Sequence, residues 1–220
     1  MDFIINLFSI DNVMATVFGY KLSYLEAITT VLTLACIVFA ARANIITFAL
    51  GIICTTLSFI FFYQASLYSS MSLQAVFFGF NVYGYYQWTR PKKGDENKKN
   101  QLKVSRYTKD KYLLFGAIIV AGALLWGYVM SNPPAFLAGE FADAKFPYID
   151  AFILVASIVA QFMIAKKKIE NWYIWIFVDI IATILYAASG TVFMSILYGI
   201  LIFNAMYGLS QWQKMYKKGD

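Results

Sequence analysis

The chain has 220 residues, of which 60% are hydrophobic, 19% are aromatic and only 14% are charged, and its net charge is +6. A soluble domain of this length cannot bury so much apolar surface, so the composition excludes a water-soluble fold and indicates an integral membrane protein. The positive charge is explained by the orientation of membrane loops and gives no support to nucleic-acid binding.

Residues 1–20 carry an apolar stripe opposite polar side chains on a helical wheel. This pattern predicts an amphipathic helix in the membrane interface, because such a helix buries one face among the lipid headgroups. A cleavable signal peptide fits less well, since the segment lacks a basic start and is interrupted by Asp2 and Asp11.

Seven later segments match the roughly 20 apolar residues that a membrane-spanning helix needs. Backbone groups cannot stay unpaired in lipid, so each segment is expected to be helical. All four prolines fall between these segments or at their ends, which supports the boundaries. The segments cover residues 22–42, 44–67, 70–89, 111–130, 147–165, 170–188 and 191–213.

The positions of Lys and Arg predict the orientation of these helices. Among the 18 basic residues, all but Lys21 and Lys145 lie on one side of the predicted membrane. By the positive-inside rule that side is cytoplasmic, so the N-terminus is outside and the tail, residues 214–220, is cytoplasmic. Residues 90–110 form a basic cytoplasmic loop, which we interpret as a solvated orientation signal.

The chain contains an internal repeat, because residues 24–88 recur as residues 148–212. Each copy holds three spans, an odd number, so the helix at 111–130 is needed to return the chain to its starting side. The sequence thus predicts an all-α membrane protein with two parallel three-helix repeats, 22–89 and 147–213, joined by a linker helix. Such repeats in an apolar chain indicate a transporter with a central site.

The third span of each repeat ends in a polar and aromatic cluster. The residues that share a helical face are Asn81, Tyr85 and Trp88 in the first repeat and Asn204, Tyr207 and Gln211 in the second. These residues either line a pore and hydrogen-bond a polar solute, or act as contacts between helices and as an interfacial aromatic belt. We interpret Asn81 and Asn204 as lumen residues, and Trp88 and Trp212 as belt residues.

The sixth span carries Trp172, Trp175 and Asp179 on one stripe. Two indoles and a carboxylate suit a planar, cationic or polyhydroxylated ligand. An Asp inside a membrane costs about 2.5 to 3.5 kcal/mol on insertion scales, so Asp179 is a functional candidate. The alternatives are an Asp bonded to neighbouring helices and a belt position for Trp172. The matching residues of the first repeat are Phe48, Gly51 and Thr55.

Glu26 and Asp150 occupy matching positions near the outer ends of spans one and five. Their symmetry argues against a role in ligand selectivity. A gate contact, a charge in the first turn of a helix, and simple solvation are all open.

The residues that enzymes use are scarce. The chain has no histidine, which removes the commonest general base, and its two cysteines are separated in sequence, so no metal cluster follows. No glycine-rich phosphate loop is present. The sequence therefore predicts neither an enzyme nor a bound cofactor or metal.

Three features together resemble the PnuC family of nicotinamide riboside transporters, over roughly residues 22–213. They are the three-one-three arrangement, the Trp172-x-x-Trp175 motif, and the helix ending Asn81-x-Tyr83-Gly84-x-Tyr86-x-Trp88 with its second copy from Asn204 to Trp212.

The resemblance implies a SWEET-like fold and a homotrimer in the bacterial inner membrane. It also implies facilitated diffusion of nicotinamide riboside, a vitamin B3 precursor of NAD, by alternating access of the two repeats. Phosphorylation by a separate cytoplasmic kinase would drive uptake. Trp172 and Trp175 would contact the nicotinamide or ribose, with Asn81, Asn204 and Gln211 as hydrogen-bonding partners.

Other functions stay open at this stage. Thiamine is also a flat cation, and related members of the family are thought to carry thiamine or riboflavin. A seven-helix receptor, a channel and a structural membrane protein belong to different classes. The internal repeat with polar residues at matched depths favours a transporter over these.

Overall fold

The computed structural model describes residues 8–17, 20–65, 68–97, 100–135, 139, 145–190 and 192–219. Across these residues the chain forms seven α-helices and one hairpin of two strands. The strands are β1 (Val13–Val17) and β2 (Tyr20–Ser23). The helices are α1 (Tyr24–Ala41), α2 (Ile46–Gln64), α3 (Tyr68–Thr89), α4 (Lys109–Ser131), α5 (Pro147–Ala165), α6 (Glu170–Ala188) and α7 (Val192–Lys217).

Each helix overlaps one of the seven apolar segments, so the prediction of seven helices is confirmed. Five of them, α1, α2, α4, α5 and α6, are long and apolar enough to cross a membrane. The helices α3 and α7 are less apolar because they carry the polar clusters that end each repeat.

The amphipathic helix predicted over residues 1–20 is wrong for the part that the structure describes. Residues 13–17 form β1, which pairs antiparallel with β2; residues 1–7 and 18–19 lie outside the described residues. β-Branched Val13, Thr16 and Val17 favour an extended backbone. Before β1, two backbone groups bond to the side-chain amide of Gln64. Its Nε2 donates to Phe8 O at 2.7 Å, and its Oε1 accepts from Ile10 N at 3.1 Å.

The helices belong to two compact units. The first comprises Met1–Ala40 and Asn44–Tyr85, and the second comprises Ala41–Ala43 and Tyr86–Asp220. In the first unit, α1 and α2 are joined by small polar groups, which commonly link helices in membranes. Thr33 Oγ1 lies 2.9 Å from Cys54 Sγ, and Thr47 Oγ1 donates to Cys36 O at 2.9 Å.

The second unit has an apolar core where α4, α5 and α6 meet. Small residues allow this close approach, since Ala156 and Ala160 of α5 are fully buried and an added Cβ on Gly122 would contact Val155. The core residues are Ile119, Ala156, Val159, Met163 and Val178.

The connections α1–α2 and α5–α6 have the same backbone geometry. Ala43 has φ +50° and Lys167, which lies 124 positions later, has φ +52°. After each left-handed residue the next backbone N–H bonds back to the preceding helix: Asn44 N to Phe39 O at 3.0 Å, and Lys168 N to Met163 O at 2.9 Å. This is the six-residue closure of a Schellman turn, here without glycine.

Residues 90–108, which we call the strap, connect α3 to α4. The side chains of the turn at residues 92–96 are exposed, as the solvated interpretation expects, but residues 101–105 are half-buried or buried. Val104 is buried, Leu102 N donates to Trp88 O at 3.0 Å, and Ser105 exchanges backbone hydrogen bonds with the α5–α6 turn. Tyr107 N also donates to a Glu170 carboxylate oxygen at 3.3 Å. These bonds could not be predicted from the sequence, because most of them join backbone groups.

Candidate functional site

Three indole rings lie together inside the second unit, and we call Trp88, Trp172 and Trp212 the Trp cluster. Trp212 contacts both others edge to face, with centroids 5.9 Å from Trp88 and 5.5 Å from Trp172. Trp88 and Trp212 are fully buried, so their predicted belt position is wrong. A belt residue reaches water with its N–H, whereas Trp88 Nε1 donates to Ile164 O at 3.2 Å.

The ring of Trp172 packs directly on α7, because Gly208 has no side chain to keep it away. An added Cβ at Gly208 would lie 2.6 to 2.7 Å from the Trp172 ring atoms. Only 3% of Trp172 is exposed, which also excludes the belt alternative for this residue. Because real Cβ atoms do not approach so closely, glycine at position 208 is what admits the indole.

Two buried side-chain atoms in the described part of the chain have no hydrogen-bond partner, Trp172 Nε1 and Asn171 Oδ1. They belong to neighbouring residues in the first turn of α6, and one is a donor and the other an acceptor. A buried polar group without a partner costs about 1 to 3 kcal/mol. A ligand hydroxyl can accept from the Trp172 N–H or donate to the Asn171 oxygen, because a hydroxyl does both.

Lys167 closes the Trp cluster from the α5–α6 turn. It is 2% exposed, and its ammonium lies 4.2 Å from the centroid of the Trp88 ring. This is a cation–π distance, and such contacts are stronger when water is excluded. From the sequence, Lys167 is only one of the basic residues that predict the orientation of the helices, because its burial depends on the left-handed turn.

The other predicted residues of α6 are also enclosed within the second unit. Asp179 is 3% exposed, and Trp175 is partly buried and packs against the core that contains Val178. On α7, Asn204 and Gln211 are half-buried, while Tyr207 is 44% exposed. The contacts of Trp172 with α7 are made to Gly208 and Trp212.

In the first unit, Asn81 is buried and Tyr85 is 49% exposed. Asn81 Nδ2 donates to Phe77 O at 2.9 Å, and its side chain lies where a Cβ on Gly51 would be. The assignment of Asn81 and Asn204 to a lumen stays a prediction.

Glu26 and Asp150 both lie in the first turns of their helices, where the helix dipole favours a carboxylate. Ser23 Oγ accepts the Glu26 N–H at 3.2 Å, half of the capping box that Ser-x-x-Glu sequences form. This favours a structural role for Glu26, and the gate stays a prediction. In the residues that the structure describes, no three His, Cys, Asp or Glu side chains come together as metal ligands.

The chain is similar to known proteins in sequence and in fold. The profile of the family described as "Nicotinamide mononucleotide transporter" matches residues 23–214. The nicotinamide riboside transporter PnuC of Escherichia coli (strain K12) is 32% identical, over 96% of this chain and 94% of that protein. The riboflavin/roseoflavin transporter RibM of Streptomyces davaonensis is 28% identical, over 68% of this chain and 66% of that protein.

A crystal structure of the vitamin B3 transporter PnuC has the same fold, with a TM-score of 0.66. It is 23% identical in sequence, and the match covers 90% of this chain and 83% of that chain.

Proposed function

The chain belongs to the nicotinamide mononucleotide transporter family, and we propose from that premise that it carries nicotinamide riboside across the membrane. The Escherichia coli relative is a nicotinamide riboside transporter, and it matches nearly the whole chain. The structural observation that carries the substrate proposal is the unpaired N–H of Trp172 in the Trp cluster, together with the unpaired side-chain oxygen of the preceding residue in the chain, Asn171.

The substrate has chemical groups that match this site. Its ribose hydroxyls supply an acceptor for Trp172 Nε1 and a donor for Asn171 Oδ1. Its pyridinium ring is flat and positively charged, so it suits the face of an indole. A buried carboxylate such as Asp179 is costly unless it is paired, and the cationic ring supplies the opposite charge.

The transport mechanism that we propose is facilitated diffusion, in which two parallel three-helix repeats, joined by α4, rock around a central site. The turns at Ala43 and Lys167 support the repeat, because a left-handed residue with nearly the same φ recurs at the same offset. A cytoplasmic kinase traps the substrate by phosphorylating it. The chain works as a homotrimer of SWEET-like subunits in the bacterial inner membrane, with the N-terminus outside and the C-terminus in the cytoplasm.

Titration calorimetry with purified protein tests the substrate and the site together. Trp172→Phe gives the second repeat the ring that the first repeat has at Phe48, so packing on glycine is kept and the indole N–H is removed. We expect nicotinamide riboside to bind about tenfold more weakly to this variant, since one buried hydrogen bond is lost. Trp126→Phe, on α4, is the matched control and should bind normally.

The same titration compares substrates. The RibM relative supports riboflavin as a second candidate, and thiamine is a third because it is also a flat cation. Stronger binding of either vitamin than of nicotinamide riboside would overturn the proposed substrate. Wild-type affinity in Trp172→Phe would overturn the proposed site.

A further inference from the structure

A cavity of about 260 Å³ lies between the strap, the end of α3 and the α5–α6 turn, all within the second unit. Its volume is slightly below that of typical pockets for drug-sized ligands, so it suits a small ligand or the headgroup of a larger one. The charged and hydroxyl side chains that line it are Lys92, Asp95, Lys103, Ser105, Lys166 and Lys168.

The lining has four ammonium groups and one carboxylate. Burial lowers the pKa of the Lys168 ammonium, and repulsion from Lys166 adds to this effect, while Glu170 and Asp95 oppose it. The lining ammonium groups outnumber the lining carboxylate, and the attraction of Glu170 and Asp95 offsets only part of the cost of burying Lys168, so the cavity keeps an excess of positive charge. An anion in the cavity would offset both the repulsion and the desolvation.

Two of these ammonium groups are held in place by the strap. Lys168 Nζ donates to Ser105 Oγ at 2.7 Å, and Lys103 Nζ donates to Gly94 O at 2.7 Å. Lys168 Nζ also donates to Arg106 O at 3.5 Å. Each ammonium has three donors, so Lys168 keeps one and Lys103 keeps two for a ligand in the cavity. The backbone bonds between Ser105 and the α5–α6 turn fix the strap itself. A preorganised set of lysine donors is a common way to bind phosphate.

We propose that this cavity binds a phosphate group. The inference rests on the proposed function for its location, because the proposed orientation puts the strap in the cytoplasm. There the phosphate comes either from a soluble phosphomonoester, the class of product that a kinase makes from a nucleoside, or from the headgroup of an anionic lipid. In both cases the ligand ties the strap to the α5–α6 turn.

Binding is tested with the purified full-length protein and ribose 5-phosphate as the probe. The variant Lys92→Gln/Lys166→Gln removes two lining charges and leaves the fixed lysines, Lys103 and Lys168, in place. The variant Lys93→Gln/Lys214→Gln makes the same charge change outside the lining. We expect saturable binding that is about tenfold weaker in the first variant and unchanged in the second, because charge-assisted bonds are lost only in the first.

A second arm distinguishes the two sources of phosphate. The protein is placed in nanodiscs of phosphatidylcholine alone or with phosphatidylglycerol. Ribose 5-phosphate that binds equally in both nanodiscs supports a soluble ligand. Its displacement by phosphatidylglycerol, together with retention of this lipid by the wild type and its loss from Lys92→Gln/Lys166→Gln, supports a headgroup site.

Absence of binding in both arms would overturn the inference, and so would equal weakening in the two variants. Nicotinamide riboside is titrated in parallel to separate this inference from the proposed function. Normal nicotinamide riboside binding without phosphate binding defeats only the phosphate site. Phosphate binding without nicotinamide riboside binding defeats only the proposed substrate.

Discussion

In the first repeat the ring of Phe48 covers Gly84, and in the second the ring of Trp172 covers Gly208. Each residue of the second pair lies 124 positions after its counterpart in the first. The glycine and the aromatic ring recur, so the two repeats share one way of packing their second and third helices. The difference is the indole N–H, which is buried and unpaired in the second repeat. The two repeats thus share their packing, and we expect the Trp that replaces Phe to make the difference in ligand binding.

A second pair of positions shows a larger difference. Gly51 leaves room that Asn81 fills, whereas the matching position of the second repeat holds Trp175. Asn81 is therefore buried against its neighbour helix, and Asn204 is only half-buried. This difference leads us to expect more of the ligand contacts from the second repeat than from the first.

The largest expected effect comes from Gly208→Ala, because its Cβ would occupy the position of the Trp172 ring. We expect a loss of about 1 to 3 kcal/mol in the free energy of unfolding and no detectable binding of nicotinamide riboside. Gly84→Ala should destabilise similarly through Phe48 but keep its affinity once folded. Thermal unfolding in detergent and titration calorimetry measure the two effects. The control is Gly199→Ala on the same helix, where an added Cβ meets nothing within 4 Å.

Gly208→Ala with wild-type affinity would show that the position of Trp172 is irrelevant to the ligand. Equal loss of binding in Gly84→Ala and Gly208→Ala would remove the functional difference between the repeats.

The next effect concerns charge. Asp179→Asn should weaken binding of nicotinamide riboside about tenfold and leave its uncharged dihydro form almost unaffected, since only the cationic ring needs a counter-charge. Thr55→Val is the matched change in the first repeat, where Thr55 Oγ1 donates to Gly51 O at 2.7 Å. It should not alter the preference. Competition binding with both ligands measures the ratio, and an equal loss for the two forms would contradict a charge role for Asp179.

The smallest effect separates the two equivalent turns. Ala43→Gly should stabilise the protein by about 0.4 to 1 kcal/mol, because glycine adopts a positive φ without strain. Lys167→Gly gains the same relief but loses the cation–π contact with Trp88, which is worth about 2 kcal/mol when desolvated. Melting temperatures should therefore shift in opposite directions. A shift in the same direction for both would mean that Lys167 adds nothing beyond the turn.

Apolar length and proline placement predicted the helices well, and the predicted bounds of α5 and α6 match the structure. These signals depend on the bilayer, which imposes a length on every span. The helix predicted over residues 1–20 was wrong because an apolar stripe near a membrane also fits an extended hairpin. The segment before the hairpin is also bonded to Gln64, through Phe8 and Ile10, and this partner lies more than fifty positions away in sequence.

The site was only partly predictable. Trp172 was found from its stripe, whereas Trp88 and Trp212 were misassigned because a tryptophan near a helix end suits both a lipid interface and a buried cluster. One signal was available: Gly84 and Gly208 each lie four residues before a Trp, on the same helical face, which allows a neighbouring ring to approach. The unpaired N–H and the buried Lys167 required coordinates, because they depend on contacts between separate helices.

The placement of the two native thiols also has a practical consequence. Cys36 and Cys54 are the only cysteines of the chain, and both contact threonines between α1 and α2 of the first unit. The second unit has no cysteine, so a cysteine introduced at exposed Ser210 on α7 would be the only thiol of that unit. A fluorophore or spin label attached there would follow the motion of the second repeat, while buried Cys54 stays shielded from the reagent and half-buried Cys36 is shielded only in part.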